Sequence, residues 1–97
     1  MLMVNYFNVQ TIQACLDDYL IRTGKTKIGE IEANHELERA GLMADDTEHP
    51  GEPLRIFLEQ LRDTNSLPKN ITLINSAWAI RHSKTNAKSL LIFNEYA

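Results

Sequence analysis

Asp45, Asp46, Glu48 and His49 put four side chains able to ligate a metal within five consecutive residues. Carboxylate oxygens at that density suit magnesium or calcium, hard cations that take oxygen ligands. The spacing matches no calcium loop, which needs a glycine at its sharp turn and a closing bidentate glutamate. The surrounding stretch from Ala44 to Gly51, with Asp-Asp and His-Pro-Gly and no hydrophobic period, reads as a solvated acidic loop with no metal. His35 stands beside Ile31 and Glu38 in a helical pattern and reads as a surface or partly buried histidine. Cys15 has no histidine near it to draw off its proton and reads as a small buried hydrophobe. The chain contains no GxSxG, Walker A, GxGxxG, paired CxxC or HExxH. Hydrolase, nucleotide-binding and zinc chemistries therefore have no motif behind them, and no catalytic residue and no cofactor is expected.

Charge offers more. From Glu30 to Glu52, eight acids (Glu30, Glu32, Glu36, Glu38, Asp45, Asp46, Glu48, Glu52) face Arg39 alone. From Thr64 onward, Lys69, Arg81, Lys84 and Lys88 face only Glu95. A chain polarised in this way can steer a charged partner, and the formal net charge of −3 conceals it.

The elements that position these groups follow from periodicity. Asn8 can cap a helix over about 9–23 in which Val9, Ile12, Leu16, Tyr19 and Leu20 share a face, with Gly24 as its left-handed stop. Ile28, Ile31, Ala33, Leu37, Ala40 and Leu42 suggest a second amphipathic helix from near Gly29 to Ala40, closed by Gly41 with Leu42 folding back. In "EHPGEPLRIFLEQLRDTNSLP", Pro53 is suited to a first turn and Glu52 to the positive end of the helix dipole. Leu54, Phe57, Leu58 and Leu61 form a stripe there, and Asn65, Ser66 and Pro68 end the helix. Its outer row is Arg55, Glu59 and Arg62, spaced so that the glutamate can pair with either arginine.

After Pro68 the period becomes alternating. Ile71 and Leu73, then Asn75-Ser76, then Trp78, Ile80 and His82 read as a hairpin. LLIFNEY at 90–96 reads as a third strand, with a terminal helix as the alternative. Burying about 200 Å² of Trp78 is worth at most about 5 kcal/mol, which makes it the anchor between helices and sheet. Asn70-Ile71-Thr72 fits the glycosylation pattern by chance, since no secretion signal is recognisable.

The expected fold class is α+β: three N-terminal helices followed by a small antiparallel β-hairpin or three-stranded meander. With 97 residues, 43% hydrophobic and 24% charged, the chain is expected to form a single domain over 1–97. A core of that size leaves room for stabilisation by a second copy. The lone cysteine points to the cytoplasm, and no apolar run approaches the length that spans a bilayer.

Over residues 9–83, the order helix, short extended TKI, helix, loop, helix, hairpin resembles the winged-helix variant of the helix-turn-helix. The resemblance implies that Glu30–Ala40 is the supporting helix, Leu54–Thr64 the recognition helix and Ile71–Ser83 the wing. It further implies that Arg55, Gln60, Arg62 and Asn65 face bases in the major groove of double-stranded DNA, with Lys69, Arg81 and Lys84 on phosphates. The chain departs from that pattern in the long acidic stretch Met43–Glu52, and in Glu59 and Asp63 beside the arginines. Phosphate affinity depends on clustered cations, so the expected role is a non-enzymatic binding module. Its expected partner is a protein or a second copy of itself, with a winged-helix-like DNA-binding regulator as the alternative and an enzyme as the least supported class.

Overall fold

The computed structural model describes residues 8–84. The first helix, α1 (Val9–Thr23), begins where the Asn8 side chain accepts from Thr11 N–H at 3.1 Å, satisfying an amide that a helix leaves open in its first turn. It ends at Gly24, whose φ of 72° lets Lys25 N–H reach back to Leu20 C=O at 3.2 Å. A three-residue strand, β1 (Lys27–Gly29), leads directly into α2 (Glu30–Arg39). At its end Gly41 takes φ 77° and Leu42 N–H closes onto Leu37 C=O at 2.8 Å, the fold-back expected from the glycine. α3 (Glu52–Asp63) ends with Asn65 in the left-handed role, φ 61°, and Ser66 N–H on Leu61 C=O at 2.7 Å.

The hairpin is β2 (Ile71–Ile74) and β3 (Ala77–Arg81), joined by Asn75 and Ser76 at φ 52° and 68°. Two consecutive positive φ values define the two-residue turn whose twist matches paired strands. Asn tolerates that conformation, whereas serine bears a Cβ penalty there. Ser76→Gly is expected to raise stability by about 0.5–1 kcal/mol, read as a higher thermal midpoint. An unchanged or lower midpoint refutes the turn assignment.

The fold is α+β, but the strands do not all follow the helices. Strand β1, from between α1 and α2, joins the hairpin in the antiparallel order β1-β3-β2. In register, Ile28, Ile80 and Ile71 form one row across the sheet, all buried. The described sheet therefore draws its third strand from residues 27–29; the expected strand at 90–96 lies outside the described residues. Asn70 closes the open end of the hairpin, its buried side-chain amide donating to Arg81 C=O at 2.8 Å and its backbone C=O accepting from Arg81 N–H at 3.0 Å.

Helices and sheet meet in one core: Ile12, Leu16 and Leu20 of α1, Ala33 and Leu37 of α2, Leu54, Phe57 and Leu58 of α3, and Ile28, Ile71, Trp78 and Ile80 of the sheet. Trp78, 2% exposed, is the expected anchor. Cys15 packs half-buried against this core, and its thiol is pushed above its ordinary range by burial and then by the Glu36 carboxylate, so it is no activated nucleophile. The apolar stripe expected for α2 needs correction. Ile31 was placed in the apolar stripe but is 59% exposed, because it sits about 200° around the helix from Ala33. Asn34, a polar residue, is fully buried in its stead.

Asn34 explains how α3 begins. Its Oδ1 accepts from Leu54 N–H at 2.9 Å and its Nδ2 donates to Met43 C=O at 3.4 Å. The residue before α3 is Gly51, which has no side chain to cap with. A residue of α2, twenty positions earlier, thus supplies the cap that α3 lacks locally. This join fixes the angle between α2 and α3 and shapes the surface beside them.

Candidate functional site

The outer face of α2, the loop 45–50 and the turn-proximal end of β3 enclose a groove of about 780 Å³. One wall is the α2 row Ile31, His35 and Glu38, spaced i, i+4, i+7. The opposite wall is Asp45, Asp46, Thr47 and Pro50, and Ala77 with Trp78 closes the end nearest the sheet. The exposed lining is mostly apolar, while Glu30, Glu32, Glu38, Asp45 and Asp46 surround it with carboxylates. Among the described residues lining it, none is lysine or arginine.

Each carboxylate also has a structural task. Where β1 stops and leaves β3 unpaired, Glu30 Oε1 accepts from Trp78 N–H at 2.8 Å and so ties the first residue of α2 to the hairpin. Glu38 accepts from Asp45 N–H at 3.1 Å. Asp45 Oδ1 takes Asp46 N–H at 2.8 Å and Gly51 N–H at 2.9 Å, and Asp46 Oδ1 takes Glu48 N–H at 2.9 Å and His49 N–H at 3.3 Å. The acidic loop is therefore an ordered turn built on its own aspartates. Hydrogen bonds from neutral amides leave the charge in place, so Glu30, Glu38 and Asp45 keep the groove negative. Glu32 is the partly neutralised member, taking both Tyr19 Oη–H and Lys25 Nζ–H.

His35 and the two aspartates therefore share one site. Glu48 and His49 stand outside its lining, with His49 Nδ1 3.6 Å from Asp46 Oδ2. Among the described residues no group of three His, Cys, Asp or Glu has the arrangement to hold a metal ion. Nor is any helix of the described residues long and apolar enough to cross a membrane.

The residues assigned to nucleic acid by resemblance are distributed differently. Arg55 lies on α3 but sits between Glu52 at 3.6 Å and Glu59 at 3.3 Å, and Arg62 turns to Asp63 at 3.4 Å. The glutamate of the outer row thus pairs with Arg55 rather than Arg62. Gln60 is exposed on a separate row with Ile56, across from the arginines, and Asn65 is exposed in the helix-ending turn, where its backbone holds φ 61°. Lys69 precedes β2 and Arg81 ends β3, so with Lys84 they stand at the base of the hairpin. The tip, Leu73 to Ala77, carries no cation and exposes Leu73 and Ile74.

Charge of both signs also ties α1 to α2. Glu36, 4% exposed, accepts from Arg22 Nη2 at 3.0 Å and from Arg39 Nε at 2.9 Å. Arg22 reaches back to Asp18 at 2.7 Å. The Arg39 guanidinium, with Arg22, holds the Glu36 carboxyl below the ordinary glutamate range. Lys25 and Tyr19 do the same for Glu32, and the Glu48 and His49 amides for Asp46. A carboxylate with a depressed folded pKa stabilises the fold above its unfolded value and loses that contribution as pH falls through the folded one. Stability should thus hold level from neutrality to about pH 5 and decline below the ordinary carboxylate range near about pH 4. Glu36→Gln should flatten part of that decline in acid-unfolding curves. An identical acid limb in the variant contradicts the assignment.

Sequence reasoning located the acids of this site but not the groove. Ile31 was read as core, and nothing in the chain's order announces that Ala77 and Trp78 come to lie against α2. Comparison with protein-family models, with curated proteins and with solved structures finds no match to this chain.

Proposed function

We propose that this chain is a small non-enzymatic protein-interaction module whose working surface is the groove between α2, the loop 45–50 and the hairpin. The observation that carries this reading is the combination of an apolar floor with an unneutralised acidic wall in the groove. Apolar area supplies affinity and complementary charge supplies orientation and on-rate. α3 is less suited to nucleic acid: both of its arginines are paired to carboxylates of the same helix, which DNA binding would have to break while bringing Glu52, Glu59 and Asp63 toward phosphates.

The experiment compares wild type with Ile31→Arg, a change at an exposed position, with the variant's thermal midpoint measured alongside. Light scattering over a concentration series reports self-association, and affinity capture reports hetero-association. A concentration-dependent mass or a retained protein that Ile31→Arg abolishes supports the reading. A strict monomer that retains nothing through this face counts against it.

A second reading, a winged-helix-like DNA-binding regulator, is favoured by one observation. The full order of helix, strand, helix, loop, helix and hairpin is present as elements, with the early strand joined to the hairpin in the order β1-β3-β2. It predicts a mobility shift with duplex DNA that weakens steeply with salt and is reduced in Arg62→Ala and Arg81→Ala. Absence of binding at micromolar protein at either salt level removes it.

A further inference from the structure

The partner's chemistry can be taken further, resting on the interaction reading just given. Along α2 the groove changes character. At its N-terminal end Glu30 is engaged by Trp78 N–H, leaving Ile31 and Ala77 as the accessible apolar surface. At its C-terminal end Glu38 meets the loop at Asp45, with Asp46 next to it. Ile31 and Glu38 are seven positions apart, about 10 Å along a helix. In an extended peptide, side chains two residues apart face the same way at about 7 Å, and the length of an arginine side chain covers the remainder.

We propose that the groove receives an extended, arginine-bearing segment of a partner protein, with an apolar side chain on Ile31 and Ala77 and, two residues away on the same face of the segment, a guanidinium that reaches Glu38, Asp45 and Asp46. The charge complementarity selects the cation, since Glu38, Asp45 and Asp46 stand together at one end, Glu30 and Glu32 lie at the other, and no lysine or arginine lines the groove among the described residues. Arginine fits better than lysine because its planar fork can donate to two carboxylate oxygens at once, including the lone pairs that the loop amides leave free. Nucleic acid is disfavoured at this surface by the same charges.

The probe is a fluorescein-labelled peptide of Leu-Gly-Arg-Ser repeats, with Leu-Gly-Glu-Ser and Ser-Gly-Arg-Ser repeats as controls. Anisotropy titration at low and high salt gives the affinity, and amide chemical-shift mapping locates the contact. The arginine probe should bind, weaken with salt, and shift Ile31, His35 and Ala77. Ile31→Ser and the paired change Glu38→Gln with Asp46→Asn should each weaken it about tenfold or more. The amide variants keep acceptor oxygens for the loop N–H groups, and amide shifts outside the groove that match wild type verify the fold. The proposal is overturned by an arginine probe that does not bind, binds the variants as well as wild type, or shifts residues elsewhere. If instead the glutamate repeat or a second copy of the chain occupies Ile31 and Ala77, the groove is an interaction site and only the cationic partner is wrong. If no protein or peptide engages it and duplex DNA shifts α3, the interaction reading fails as well.

Discussion

Replacing Gly51 by alanine should cost about 2–4 kcal/mol, a large share of the stability of a chain this size. Two separate penalties combine. Gly51 holds φ at 85°, a left-handed conformation that costs an L-residue about 1–2 kcal/mol. A Cβ built there would also lie 2.9 Å from both Cα and Cγ1 of Ile31 and 3.1 Å from its backbone nitrogen. The side chain could rotate away; the α2 backbone cannot without shifting the whole α2–α3 join. Overpacking of that kind typically adds about 1–3 kcal/mol. Gly24 provides the control, with φ 72° and nothing within 4 Å of the added carbon. Gly24→Ala should therefore show the conformational penalty alone. In urea unfolding, where small proteins lose about 1–3 kcal/mol per molar, Gly51→Ala should fall clearly below Gly24→Ala. Equal midpoints would remove the claim that α2 and α3 touch through backbone at this point.

Asn34→Leu should be nearly as damaging, at about 2–4 kcal/mol, although it adds apolar surface to the interior. Leucine is similar in size but leaves Leu54 N–H without its 2.9 Å partner and Met43 C=O without its 3.4 Å donor. Unsatisfied buried backbone groups cost about 1–3 kcal/mol each, the Met43 contact being long and worth less. The N-terminus of α3 also loses its only side-chain cap among the described residues, since Gly51 offers none. The urea midpoint should drop, and amide exchange should accelerate first at Leu54 and its neighbours. A variant as stable as wild type would mean that the interior treats this position as ordinary core. Asn34 and Gly51 serve the same join, so the double variant should cost less than the two single costs together.

The same join determines the candidate site. If α2 and α3 lose their angle, the loop 45–50 loses its anchor at Gly51 N–H and the acidic wall of the groove moves away from Ile31 and His35. Stability variants at residues 34 and 51 should therefore also weaken peptide binding, whereas Ser76→Gly, at the hairpin tip, should not.

Much of the architecture was legible in the chain's order. Asn8 and Gly24 bound α1, Gly41 and Leu42 close α2, and Asn75-Ser76 turns the hairpin, because caps and turns are settled by residues within four or five positions of one another. The stripe of α3 and the burial of Trp78 follow from periodicity in the same way. Reading α2 failed where its pattern was ambiguous: with Ile31 and Ala33 both apolar, only a neighbour could decide which side faced inward. Ala33 faces the core, which places Asn34 inside and Ile31 out.

What the sequence by itself determined is the set of local decisions: where each helix starts and stops, where the period changes, and which stretch is acidic. Contacts across long separations decided the rest. Asn34 capping Leu54, Glu30 holding Trp78 N–H, Gly51 seated on Ile31 and β1 joining β3 all bring together residues from different elements. Their energies depend on distances that exist only after the chain has closed on itself, and no spacing along it encodes them. The acids were visible from the start; the groove they surround came into being when α2, the loop and the hairpin were brought face to face.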